Sequence, residues 1–121
     1  MRLTTELDKD MVDLINYHLS DRSRDTLACY TGWRHETMKE YNTQGEIDWM
    51  ISYFYLDFKF DMIIVMQRDN KFSKSLWRIL RDTIDKRVKP LRVMSDPSNE
   101  AIVEGAKRHG GVWMNDEIFF N

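Results

Sequence analysis

The order of apolar runs in the C-terminal half constrains this chain more than any other feature. The run Asp61-Met62-Ile63-Ile64-Val65-Met66 is followed by a loop and then by a basic amphipathic segment from Ser73 to Arg87. A second run, Leu91-Arg92-Val93-Met94, lies between the chain's two prolines, Pro90 and Pro97. Short apolar runs bounded by turn signals read as buried strands. Leu76, Trp77, Leu80, Ile84 and Val88 recur at helical spacing, which predicts a helix burying that stripe, with Ser73 as its N-cap. Strand, helix, strand implies a parallel pair joined by a right-handed crossover. Beyond it, Asp96-Pro97-Ser98-Asn99 predicts a turn. Residues 99–109 predict a short helix packed through Ile102, Val103 and Ala106 and closed at Gly110. Val112–Met114 and Glu117–Phe120 then predict a closing hairpin.

The N-terminal half is less regular. Residues 2–7 predict an edge strand, and Asp8 is suited to cap a helix running from Lys9 to Leu19 through Met11, Leu14, Ile15, His18 and Leu19. Residues 20–24 predict a polar loop. Residues 25–30 predict a short helical turn stopping at Gly32, and residues 34–41 a second helix ending before Gln44-Gly45. Residues 46–60 fit either period. Ile47, Met50, Ile51, Phe54 and Phe58 suit a helix face, whereas Trp49, Tyr53 and Tyr55 add the aromatic content of a strand. Strand is preferred, because Asp61–Met66 needs sheet neighbours, and helix remains the alternative.

With 121 residues, 42% hydrophobic and 31% charged, the chain is expected to form one globular domain over residues 1–121. A net charge of -2 sets up no global field toward nucleic acid or an acidic membrane. The lone Cys29 cannot form an internal disulfide, the apolar run around Met62–Met66 is too short to span a bilayer, and residues 1–6 carry no apolar signal core. The expected setting is therefore intracellular, without membrane contact. Four Trp, five Tyr, six Phe and eight Met suit a dense core, or an apolar patch for self-association or a protein partner.

With these elements in this order, the chain resembles the GNAT superfamily of acetyltransferases, in the small form encoded by tailed bacteriophages. The resemblance covers most of the chain. It implies a mixed central α/β sheet flanked by helices, with a shortened antiparallel N-terminal region. In the family's second motif an Asn after the fifth strand opens a helix that ends eleven residues later in Gly; Asn99 and Gly110 have that spacing. The fourth strand of the family leads into a Gln/Arg-x-x-Gly-x-Gly/Ala loop, whose amides receive the CoA pyrophosphate at a helix N-terminus. Here that loop reads Gln67-Arg68-Asp69-Asn70-Lys71-Phe72. Asn70 stands for the first Gly and Phe72 for a small residue, where its ring would crowd the phosphates. By the resemblance, an acyl-CoA such as acetyl-CoA would meet Gln67, Arg68, Asn70, Lys71, Ser73, Lys74 and Asn99. Many relatives place an acid Tyr seven residues after the Asn. That position is Ala106, and no Tyr follows Tyr55. Asp61 and Glu46 are the candidate bases, with surface solvation the plainer reading of each.

Residues 68–92 hold nine basic side chains against three acidic ones. A solvated helix face, a phosphate-bearing ligand, a nucleic-acid backbone contacted through Arg78 and Arg81, and a bipolar protein-docking surface all fit that excess. His18, His35, His109 and Cys29 are too scattered to make a metal set. Cys29 reads as a buried, inert thiol instead of the partner of His35. The sequence thus leads to a GNAT-like domain with degraded acyl-CoA and catalytic motifs, acting as a non-catalytic binding or assembly protein in a virion or against a host target. A divergent N-acetyltransferase is the first alternative and a nucleic-acid-binding protein the second.

Overall fold

The computed structural model describes residues 2–17, 23–55, 60–69, 71–88, 90–95, 99–114 and 117–121. Along the chain run β1 (Arg2–Thr4), α1 (Lys9–Tyr17), α2 (Ser23–Gly32), β2 (Arg34–Tyr41), β3 (Ile47–Tyr55), β4 (Phe60–Gln67), α3 (Lys74–Asp85), β5 (Leu91–Ser95), α4 (Glu100–Arg108), β6 (Val112–Met114) and β7 (Glu117–Phe120). One seven-stranded sheet carries the order β1-β2-β3-β4-β5-β7-β6. β4 and β5 pair in parallel, from Met62 opposite Arg92 to Val65 opposite Ser95, with α3 between them in sequence. The other neighbouring pairs are antiparallel.

Both sheet faces are covered, which explains why the central strands read as unbroken apolar runs. On one face Met11, Leu14 and Ile15 of α1 and Tyr30 of α2 pack on Met50, Phe54, Met62 and Ile64. On the other, Leu76, Leu80 and Ile84 of α3 and Ile102, Val103 and Ala106 of α4 pack on Trp49, Ile51, Ile63, Val65 and Val93. Asp8 caps α1 as expected, its Oδ1 accepting from the Met11 amide at 3.0 Å. Residues 47–55 form the preferred strand.

Three expectations are corrected. Residues 34–41 form a strand, not a helix. The side chains β2 turns inward are His35, Thr37 and Lys39, so its period-two burial is polar and escapes a search for apolar alternation. Pairing with β1 and β3 overrides the helical bias of its charged residues. Two of the inward groups find polar partners: Ser52 Oγ lies 2.7 Å from Thr37 Oγ1 and 2.5 Å from Tyr30 Oη, and Lys39 meets the Asp8 carboxylate. The helical turn expected at 25–30 is a ten-residue helix that begins inside the expected polar loop. The first helix follows its expected course over Lys9–Tyr17, and residues 18–22, with the rest of its expected span, lie outside the described residues. Val88 is not part of the buried stripe but is 73% exposed. α3 closes at Lys86, and Arg87 turns back to donate to the carbonyls of Ile84 and Asn121.

Candidate functional site

The loop between β4 and α3 is held by its own chain. Gln67 is buried, and its Nε2 donates to the Lys71 carbonyl at 2.7 Å. The Arg68 amide donates to the Asp48 carbonyl at 2.8 Å and its Nε to the Ile47 carbonyl at 2.9 Å. The guanidinium lies 3.7 Å from Glu46 and stacks over the Tyr17 ring. Lys71 pairs with Asp48 at 3.0 Å. Ser73 caps α3 as expected, its Oγ accepting from the Leu76 amide at 3.4 Å. Asn70 lies outside the described residues. Of the side chains expected to meet a pyrophosphate from this loop and the start of α3, only Lys74 stands exposed with no ion pair among the described residues.

At the C-terminal end of the parallel pair the picture differs. Asn99 opens α4 as expected, its carbonyl accepting from the Val103 amide at 3.2 Å, while its side chain makes no cap. Its Oδ1 and Nδ2 are both buried with no hydrogen-bond partner among the described residues, and so is Ser95 Oγ at the end of β5. Buried polar atoms in this state call for a water or a ligand. The ends of parallel strands are where ligands of open α/β sheets gather. Ala106 is wholly buried in the α3/α4 core. Its carbonyl accepts from the Gly111 amide at 3.1 Å, and Gly110 takes the left-handed φ of 94° that closes α4 as expected. Of the candidate bases, Glu46 is exposed beside Arg68, and the side chain of Asp61 lies outside the described residues.

A concavity opens between the start of α3 and α4. It encloses about 450 Å³ and is lined by Phe72 and Trp77 on one side and Glu100, Glu104, Gly105 and Arg108 on the other. Trp77, expected wholly within the core, is half-buried. A β-carbon on Gly105 would stand 2.7 Å from its ring, so the glycine is what lets α4 approach. The sequence reading missed this groove, although a glycine inside a helix, unfavourable by about 1 kcal/mol against alanine, was its available signal.

Much of the basic excess of residues 68–92 is engaged internally. Arg68 and Lys71 are held as described, Lys86 pairs with Asp82 at 3.1 Å, Arg87 binds two carbonyls, and Arg92 lies 3.9 Å from Glu117. Lys74, Arg78 and Arg81 stay exposed along α3 without an ion pair among the described residues. Among those residues no helix is long and apolar enough to cross a membrane. No family model, curated protein or solved structure matches this chain.

Proposed function

We propose that the chain is a GNAT-like domain of the small bacteriophage type that works by binding instead of by acyl transfer, as a virion component or a factor engaging a host target. The succession of strand, two helices, antiparallel strands, crossover helix, strand, helix and hairpin supports the GNAT-like reading of the fold. The observation that carries the non-catalytic reading is the closed β4–α3 loop. Gln67, Arg68 and Lys71 are occupied by groups of their own chain, so a pyrophosphate would have to displace them. The buried methyl of Ala106 adds to this, since it has no proton to give a departing thiolate; a positioned acid is worth about 10²–10⁴ in rate.

The test is titration of acetyl-CoA by calorimetry and thermal shift. A competent site would add about 2.7 kcal/mol of stability at a hundredfold excess over its dissociation constant. The expected result is no binding heat and no shift. Saturable binding with acetyl transfer to an amine above the buffer rate would refute the reading. The rival, a divergent acyl-CoA-dependent N-acetyltransferase, is favoured by the buried atoms of Ser95 and Asn99 that have no partner among the described residues. It requires acetyl-CoA binding that Asn99→Ala weakens.

A further inference from the structure

We propose that the groove between α3 and α4 binds single-stranded nucleic acid, with phosphates along Lys74, Arg78 and Arg81 and a base stacked at Phe72 and Trp77. The inference rests on the reading of this chain as a binding domain and names the partner. A site for single strands combines a cationic track with aromatic faces; here Lys74, Arg78 and Arg81 are exposed on α3 beside the groove, and Phe72 and Trp77 line it. Phe72 is 63% exposed at the mouth of the groove. Trp77 forms the inner wall, with its ring edge against Gly105.

The three cations span seven residues of one helix, about 10 Å of rise. At 3.6 residues per turn, Arg81 and Lys74 lie about 40° and 60° around α3 from Trp77, on the side away from the buried stripe. The phosphate track therefore runs beside the aromatic wall. The opposite wall carries Glu100 and Glu104, with Arg108 and His109 further along α4. Their carboxylates repel phosphate and keep the backbone on the α3 side, while they can accept hydrogen bonds from the amino groups of an unpaired base. In a duplex, pairing and stacking hide those amino groups and base faces. An acidic protein segment would meet the two carboxylates, offset only by Arg108 on that wall.

The experiment measures binding of a fluorescent oligodeoxycytidine of about 12 nucleotides to the full chain across a salt series. Competitors are the matching duplex, poly-glutamate and free CMP. Three phosphate contacts predict a log–log salt slope of about -2. Arg78→Ala with Arg81→Ala should remove about 1.4 from that slope. Phe72→Ala should weaken binding roughly 5- to 150-fold at every salt concentration and leave the slope unchanged. All three side chains are exposed, and an unchanged thermal midpoint checks that each variant folds. Three outcomes would overturn the proposal: no binding at low ionic strength, equal affinity for duplex, or displacement by poly-glutamate or CMP as readily as by unlabelled single strand. Phe72→Ala without effect would overturn it as well. Acetyl-CoA turnover by a chain that also binds the oligonucleotide would remove only the non-catalytic reading.

Discussion

Removing the Asp8 carboxylate should cost far more than removing the Lys39 ammonium it neutralises. Lys39 points inward from β2 with a side chain only 4% exposed, whereas that of Asp8 is 38% exposed. Asp8 also caps α1 through its other oxygen. In Asp8→Ala the ammonium loses its counter-charge in an apolar setting. Breaking a fully buried pair costs about 3–5 kcal/mol; partial solvent access at Asp8 lowers this to about 2–3 kcal/mol. Loss of the cap adds about 1 kcal/mol, for a total of about 3–4 kcal/mol. Asp8→Asn keeps the cap and an acceptor, so it should cost about 1–2 kcal/mol. Lys39→Met keeps the apolar stem and leaves a carboxylate that water can reach, at a cost below about 1 kcal/mol. Urea unfolding measures all three, and at a slope of about 2 kcal/mol/M the Asp8→Ala midpoint should fall by about 2 M. The pH dependence gives a second check. Burial pushes the Asp8 carboxyl up, but hydrogen bonds from Lys39 and the Met11 amide and the ammonium charge outweigh it and hold the group below its ordinary 3.8. A depressed carboxyl contributes stability above the unfolded value and loses it as pH falls through the folded one. The gap between wild type and Asp8→Asn should therefore close as pH drops below 3.8. Equal costs for Lys39→Met and Asp8→Ala would refute the reasoning, because the buried charge would then not be what sets the asymmetry.

His35 is buried against the rings of Tyr30 and Phe54, and its Nδ1 has no partner among the described residues. Burial lowers its pKa below the ordinary 6.5. Stability should be level above pH 6.5 and decline below it as the unfolded chain takes up the proton, by up to about 1.4 kcal/mol per pH unit; His35→Phe should flatten that decline in urea titrations run across this range. A β-carbon at Gly111 would meet Ile118 at 2.5 Å and the Ala106 carbonyl at 2.9 Å, so Gly111→Ala should cost about 1–3 kcal/mol in thermal unfolding. Leu80→Ala, at a wholly buried position in the α3/α4 core, should cost about 2–5 kcal/mol by the same measurement.

The sequence by itself determined the C-terminal half, because its signals are local. The apolar runs at 61–66 and 91–94, the stripe at Leu76, Leu80 and Ile84, and the positive-φ glycine at 110 each state a conformation within a few residues. Chirality then leaves one crossover between the two strands. The tertiary structure alone decided β2, whose inward His35, Thr37 and Lys39 look like a solvated face until the Tyr30 ring, Ser52 and Asp8 arrive from distant segments to meet them. The candidate sites divide in the same way. The residue types of the β4–α3 loop were legible, but their engagement by Ile47, Asp48 and Glu46 depends on β3 lying alongside β4. The aromatic groove depends on two helices meeting at Gly105, far apart in sequence. A local pattern encodes which conformation a segment prefers. Which polar groups are satisfied and which aromatic faces stay open is settled only when elements distant in the chain pack together.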